Sequence, residues 1–160
     1  MQLRARPTNL ALTYYFVATY RFSFTSPRPV ADVFGYMARF SNASEWDPGV
    51  QRAQDLQPGP PRQGNAYRLV VRFLGRAFPL DYEIVEIDAP RRVVLQAENS
   101  LVRSTDIIEV APAVGGGTQL TYSATLRPKG PAALMAPFIS LGFRRVGDRA
   151  AAGLRAKLQA

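Results

Sequence analysis

The sequence contains no cysteine and no histidine among its 160 residues. The lack of thiols excludes disulfide bridges, cysteine nucleophiles and cysteine-ligated metals, and it is typical of proteins from a reducing compartment. The lack of imidazoles excludes the usual zinc ligands and the Ser-His-Asp triad. It also removes the side chain that titrates most readily near neutral pH. Any catalysis would therefore depend on carboxylates, tyrosines, arginines or water, and we expect a cytoplasmic protein with no metal and no cofactor.

Acidic residues are scarce relative to basic ones, which gives a net charge of +8. Such a charge first suggests nucleic-acid binding, because clustered cations gain affinity by releasing counterions from phosphates. The basic residues are scattered over most segments, however, and no segment interleaves them with aromatic residues as an RNA-binding strand does. We therefore expect no nucleic-acid partner.

Length and composition predict one domain with a sizeable core, since 47% of the residues are hydrophobic. We assign this domain to residues 17–160 and expect residues 1–16 to be a loose extension. That extension has arginines ahead of an apolar run, as a secretory signal does. The run is interrupted by Thr13 and two tyrosines, lacks a following cleavage site and is too short to span a bilayer, so the extension is favoured over a signal.

The spacing of apolar residues changes early in the chain. Residues 18–24, ATYRFSF, alternate as a strand covered on one face does. Residues 29–40 follow with prolines at the start and apolar residues at helical spacing, which predicts a short amphipathic helix. We expect a second brief turn, capped by Ser41 and running through Trp46, which ends at an Asp-Pro-Gly sequence.

Six alternating segments follow, and turn signals separate them. They predict antiparallel strands over residues 50–56, 67–74, 77–88, 91–100, 103–111 and 118–126. Residues 131–158 then return to helical spacing. We expect Pro137, Gly142 and Gly147 to bend or interrupt the first half of this last helix.

This order of elements resembles the SRPBCC superfamily, which includes START lipid-transfer domains, pollen-allergen-like proteins and polyketide cyclases. The local patterns that carry the resemblance are VFGYMARFSNASEWDPGV, YRLVVRF, PLDYEIVEIDAPRRVVLQAE, RSTDIIEVAP and GGGTQLTYSATL. The resemblance implies an α+β helix-grip fold, in which a seven-stranded antiparallel sheet wraps around a long C-terminal helix and two short helices follow the first strand. It also implies a cavity between sheet and helix for an apolar or amphipathic ligand.

Trp46, the only tryptophan, has two interpretations. The resemblance places it after the two small helices that close one end of the cavity, as a lid or wall residue whose indole N–H reaches a polar group. Alternatively, it only fastens those helices to the sheet. The residues alone leave both open.

A carboxylate is predicted on the inward face of the sixth strand. The register that turns Ile108 and Val110 inward also turns Ser104 and Asp106 inward, unless a β-bulge shifts the phase. A carboxylate on an apolar wall is unfavourable unless it is paired. Asp106 is therefore either tied to a serine, an arginine or a tyrosine, or used on a ligand, and both alternatives remain.

The apolar inward faces and the resemblance favour binding or transport of a hydrophobic or amphipathic small molecule, lipid-like or polyketide-like, in an internal cavity. The alternative is an enzyme of the polyketide aromatase/cyclase type that uses tyrosine, arginine and carboxylate groups of the same cavity. No motif fixes a catalytic geometry, so no catalytic residue is assigned. The candidate ligand-binding residues are Trp46, Tyr67, Phe73, Tyr82, Leu95, Ser104, Asp106, Tyr122 and Phe138.

Cations are most concentrated in residues 127–160. On a helix, Arg144, Arg145 and Arg149 lie beside the apolar stripe, so we expect them to face solvent. One interpretation is a solvated helix surface. The other is weak contact with an anionic membrane or an acidic carrier protein through this basic face.

Overall fold

The computed structural model describes residues 17–160, so the expectations of an extension or a signal in residues 1–16 lie outside the described residues. The strands are β1 (Ala18–Ser26), β2 (Val50–Asp55), β3 (Ala66–Phe73), β4 (Arg76–Asp88), β5 (Arg92–Glu98), β6 (Val102–Pro112) and β7 (Thr118–Pro128). The α-helices are α1 (Val30–Ala38) and α2 (Ala136–Gln159). Two 3₁₀ helices, Phe40–Glu45 and Gly130–Met135, follow α1 and precede α2. The fold class predicted from the sequence is confirmed.

The seven strands form one antiparallel sheet in the order β1-β7-β6-β5-β4-β3-β2. Consecutive strands from β2 to β7 are neighbours, and β1 joins the sheet beside β7, so β1 and β2 are its edges. Register shifts occur in β2 after Val50 and in β4 after Ile84. Such bulges increase the local bend and twist of a sheet, which favours curling.

Helix α2 bridges the two edges of the curled sheet, and three glycines let it approach closely. A Cβ at Gly142 would lie 3.3 Å from the Phe73 ring, and one at Gly147 would lie 2.5 Å from the Tyr20 ring. At Gly153 it would lie 2.0 Å from the backbone oxygen of Trp46. Gly153 thus allows an approach to backbone that a larger residue would prevent, and Gly142 and Gly147 let aromatic side chains pack against the helix.

The expected interruption of the last helix is wrong, because α2 is continuous from Ala136 to Gln159. The irregular segment precedes it as the 3₁₀ helix Gly130–Met135. Pro137 lies in the first turn of α2, where its missing N–H leaves no helical hydrogen bond unmade. Close packing offsets the low helix propensity of the internal glycines.

The first 3₁₀ helix is fastened to β2 by side chains. Ser41 lies within this helix rather than at its N-cap, which is Arg39, so the predicted capping role is wrong. The Ser41 hydroxyl instead donates to the Asp55 carboxylate. Arg39 donates to the same carboxylate, with an Nη2–Oδ2 distance of 2.6 Å, so the turn before Trp46 is held to the sheet edge.

The end of α2 is fastened to the segment between β1 and α1. The buried Ser26 hydroxyl donates to the Leu158 carbonyl at 2.6 Å, and Arg28 donates to the Lys157 carbonyl at 3.0 Å. Carbonyls in the last turn of a helix have no partner within the helix, so these side chains supply one.

We expect Ser26→Ala to lower the free energy of unfolding by about 1–3 kcal/mol, because the buried Leu158 carbonyl loses its donor. Urea denaturation measures the loss. The matched control is Ser23→Ala on the same strand, where an exposed hydroxyl pairs with Thr121 and a change within about 0.5 kcal/mol is expected. Equal effects of the two substitutions would show that this anchor does not hold the helix.

Candidate functional site

Four polar side chains from three strands meet on the inward face of the sheet. They are Tyr82 of β4, Ser104 and Asp106 of β6, and Tyr122 of β7, and all are buried. The β6–β7 register runs without a shift, so the inward phase of β6 continues unbroken through Asp106, as predicted. We call this set the Asp106 cluster.

Small neighbours allow the two tyrosines to reach the carboxylate. Ala97 lies opposite Ser104 across the β5–β6 pair, and Ala124 lies opposite Asp106 across the β6–β7 pair. Side chains directly opposite in an antiparallel pair are in contact range. Alanine at these positions therefore leaves space above the strands for the longer phenol groups.

The hydrogen bonds of the Asp106 cluster all lead to the carboxylate. Tyr122 donates its hydroxyl to Asp106 Oδ1 at 2.5 Å. Tyr82 donates to Ser104 Oγ at 3.0 Å, and Ser104 donates to Asp106 Oδ2 at 3.2 Å. Two hydroxyls thus donate directly to one buried carboxylate, and a third supports it through Ser104. Such donors are the usual condition for holding a charge away from water.

Burial raises the pKa of Asp106 from 3.8 to about 6, although the hydrogen bonds from Tyr122 and Ser104 oppose the rise. Burial also raises the pKa of Tyr82 and of Tyr122 well above 10, and the Asp106 charge adds to both shifts. At neutral pH the cluster therefore contains an ionised carboxylate and two neutral phenols.

Asp47 is a second carboxyl group near this cluster that the sequence analysis did not select. Burial raises its pKa to about 6, while a bond from the Gly49 N–H opposes the rise. Its charge also raises the pKa of Asp106, so the two carboxylates interact. The sequence predicts only a helix end at Asp-Pro-Gly, and no local pattern there indicates that Asp47 is buried.

Aromatic rings form the walls around the cluster. The Trp46 ring meets Tyr122 edge to face, with centroids 5.8 Å apart, and Phe40 meets Tyr82 in the same way at 5.0 Å. Phe22 stacks on Tyr122 at 5.5 Å. Aromatic pairs of this geometry fix ring orientation, so the two tyrosines are held from several sides.

Trp46 is 5% exposed, and its backbone oxygen is the contact point of Gly153 in α2. These contacts fit the interpretation that Trp46 fastens the small helices to the rest of the core. Within residues 17–160, the indole N–H makes no hydrogen bond. Its role as a lid or wall of a ligand site stays a prediction.

The remaining candidate residues divide between interior and surface. Tyr67 and Leu95 are buried in the same core as the Asp106 cluster. Phe73 is half-buried and belongs to a smaller cluster with Ile139. Phe138 is 64% exposed, so the structure does not bring it to this site. At the start of α2, Ala136 and Ile139 are the residues that are buried. Phe138 lies between them in sequence and projects away from the sheet.

Residues 17–160 also form a groove of about 180 Å³, lined by Gln96, Arg103, Thr105, Thr125 and Arg127. Successive strand residues face opposite sides, so Thr105 places this groove on the outer face of the sheet, opposite Asp106. It is polar and lies away from α2. The internal apolar cavity expected from the sequence stays a prediction.

A family model described as "Polyketide cyclase / dehydrase and lipid transport" matches residues 17–159. No curated protein sequence matches this chain. Among residues 17–160, no helix has the length and apolar character needed to cross a membrane.

Several solved structures share the fold. A START superfamily protein from Mycobacterium smegmatis superposes with a TM-score of 0.71 at 11% identity, covering 88% of this chain and 96% of that one. The Zhui aromatase/cyclase from Streptomyces sp. R1128 gives 0.67 at 14% identity, covering 86% and 88%. The di-domain aromatase/cyclase BexL of the BE-7585A biosynthetic pathway gives 0.67 at 16% identity, covering 91% of this chain and 51% of that one.

Proposed function

Since the chain belongs to the polyketide cyclase/dehydrase and lipid transport family, we propose that it binds a hydrophobic or amphipathic small molecule between α2 and the inward face of the sheet. The apolar part of the ligand would lie among the buried aromatic and aliphatic side chains. At ~25 cal/mol per Å², burial of a polycyclic or lipid-like molecule supports micromolar affinity after association costs.

The observation that carries the proposal is the direction of the hydrogen bonds in the Asp106 cluster. The hydroxyl hydrogens of Tyr82 and Tyr122 are both engaged, and the ionised carboxylate has only acceptors. The oxygen atoms of the cluster can therefore accept further hydrogen bonds from a ligand, but the cluster has no free hydrogen to donate to one. A ligand group bound here is therefore a donor, such as an alcohol, a phenol or an enol.

The first half of α2 is the element that would move to admit the ligand. Between Ala136 and Phe143 it buries only two apolar side chains, Ala136 and Ile139. The second half buries Ala150, Ala151, Leu154 and Leu158 and is fastened at its end to Ser26. Segments with fewer buried contacts open more easily, so entry is expected beside Phe73.

The test uses 2-hydroxyanthraquinone and anthraquinone, which differ by one phenol. Quenching of Trp46 emission reports binding, because it is the only tryptophan. We expect Tyr122→Phe to weaken binding of 2-hydroxyanthraquinone by about tenfold, because its phenol loses one hydrogen-bond acceptor. The affinity for anthraquinone should not change. Tyr36→Phe is the control, since its exposed hydroxyl bonds to Glu45. Saturable binding of neither probe, or equal losses for both, would contradict the proposal.

A second function is favoured by the two interacting carboxyl groups. Asp47 and Asp106 both have a pKa of about 6, so near this pH one can accept a proton while the other donates. In an intramolecular aldol condensation, the base takes a proton from a methylene between two carbonyls. The resulting enolate carbon attacks a ketone carbon, and the acid protonates the alkoxide that this carbon–carbon bond formation produces. The base then removes the second methylene proton while the acid protonates the leaving hydroxyl, which releases one water and leaves a carbon–carbon double bond.

A linear polyketone incubated with the protein tests this reaction, with mass spectrometry following the loss of one water per molecule. A bell-shaped pH dependence centred near 6, abolished by Asp47→Asn and by Asp106→Asn, is the expected result. Ligand binding without any turnover would leave the binding function as the sole one.

A further inference from the structure

Exposed apolar side chains are concentrated at one end of the domain. In the antiparallel meander, the β3–β4 turn, the β5–β6 turn and the end of β7 all lie at the same end of the sheet. The segment Gly130–Met135 and the start of α2 follow directly from β7. The exposed large apolar side chains at this end include Leu74, Leu101, Leu134, Met135, Phe138 and Leu141. We call it the apolar end.

Contacts show that these segments form one surface. Phe138 and Leu141 are three positions apart on α2, so their side chains are neighbours. A Cβ at Gly142 would lie 3.1 Å from Leu74, which brings the β3–β4 turn against the same helix. The Lys129 N–H donates to the Leu101 carbonyl at 2.6 Å, which brings in the β5–β6 turn.

Cations border the apolar end. Arg72 and Arg76 flank the β3–β4 turn, and Arg144 and Arg145 follow Leu141 on α2; all four are exposed. None of these four takes part in a salt bridge within residues 17–160. Arg68, Arg92 and Arg103 on the same sheet are paired with Asp81, Glu86 and Glu98. The cations beside the apolar surface therefore have charge available for an external anion.

We propose that the apolar end docks on the surface of an anionic lipid bilayer. Phe138 and Leu141 enter the boundary between headgroups and acyl chains, and the four arginines contact lipid phosphates. Apolar side chains bordered by cations are the pattern that binds such an interface, and each cation near an anionic surface strengthens the attraction. Several segments share this surface, as a broad contact with a bilayer requires.

Docking and ligand binding are separate properties, because the apolar end contains none of the Asp106 cluster. It does, however, adjoin Phe73, beside which the ligand is expected to enter. A bilayer bound at this end would receive or supply an apolar ligand without passage through water. The docking test is therefore done without ligand.

The experiment is cosedimentation of the full chain with vesicles of phosphatidylcholine alone and with vesicles in which roughly a third of the lipid is phosphatidylglycerol. We expect binding to the anionic vesicles only, weakening as salt rises because exposed charges are screened. Phe138→Ser should weaken this binding by about tenfold, since one large apolar side chain stays in water. Arg144→Gln with Arg145→Gln should weaken it by about tenfold or more.

Matched controls lie at the opposite end of the sheet. Val114→Ser removes a fully exposed apolar side chain from the β6–β7 turn, and Arg62→Gln removes a cation from the β2–β3 connection. Both should bind the anionic vesicles as the unaltered chain does, and circular dichroism should show all variants folded.

Three results would overturn the proposal. The first is equal sedimentation with both vesicle types, or with neither. The second is a concentration-dependent dimer that Phe138→Ser abolishes, which would assign the surface to a second copy of the chain. The third is binding of a purified acidic acyl carrier protein, lost in the arginine variant, without any vesicle binding.

Discussion

Gly153→Ala should lower the free energy of unfolding by about 3 kcal/mol or more, although it adds only a single methyl group. The Cβ would lie 2.0 Å from the Trp46 backbone oxygen, far inside van der Waals contact. Backbone cannot rotate aside as a side chain can, so α2 or the turn before β2 must shift. Without this contact, alanine would stabilise the helix relative to glycine by up to about 1 kcal/mol. A measured loss of stability would therefore show that the contact exists.

Urea denaturation of Gly153→Ala, Gly147→Ala and Gly35→Ala gives the comparison. At Gly147 the obstructing group is the Tyr20 ring, which can move, so a smaller loss is expected. At Gly35 in α1 no atom lies within 4 Å, so a gain of up to about 1 kcal/mol is expected. If Gly153→Ala behaves like Gly35→Ala, the close approach of α2 to Trp46 is wrong.

Asp106→Asn should change stability in a pH-dependent way. The folded-state pKa of Asp106 is about 6, above the value near 3.9 of an unfolded chain. A carboxyl group with a raised pKa contributes stability that is fully present below about pH 4 and is lost as the pH rises through about 6. This rise of roughly two pH units corresponds to about 3 kcal/mol, and asparagine has no such titration.

At about pH 4 we therefore expect the variant to be less stable than the unaltered chain by about 1–3 kcal/mol, because the amide cannot satisfy both Tyr122 and Ser104. Between about pH 4 and pH 8, the stability difference should shift by about 3 kcal/mol in favour of the variant. At about pH 8 the variant is therefore expected to be nearly as stable as the unaltered chain, or more stable. Asp81→Asn is the control. Its Arg68 partner lowers the pKa of that exposed carboxyl, so its small contribution appears above about pH 4 and has the opposite sign. A pH-independent difference for Asp106→Asn would show that the carboxylate is not held in the apolar interior.

The sheet and its inward face were predictable because two constraints act together. Side chains alternate strictly along a strand, and one buried face fixes the register of each pair. The inward direction of Asp106 therefore follows from Ile108 and Val110, which lie two and four positions after it. The tyrosines that meet it could be named for the same reason, although their hydrogen-bond order depends on distances between strands that no local pattern contains.

The helix and the turns were less predictable because their environment depends on distant segments. Phe138 is apolar and lies at helical spacing, yet it is exposed, since the sheet at that end meets Ala136 and Ile139 instead. Glycine in a helix usually signals a break, and only the position of Trp46 shows that Gly153 is a contact. Asp47 resembles any aspartate before a Pro-Gly turn, so its burial could not be inferred locally.

The position of β1 beside β7 has a consequence for synthesis of the chain on the ribosome. Each of the strands β3 to β7 pairs with the strand made just before it, but Ala18 of β1 pairs with Leu126. At about 5–20 residues per second, β1 waits roughly 5–20 s for its neighbour to be translated. Throughout that interval Phe22 and Phe24 have neither β7 nor α2 to cover them, and an unpaired apolar strand is a template for aggregation. The nascent chain is therefore most exposed to chaperones, and to misassembly with other copies, just before its last strand and helix emerge.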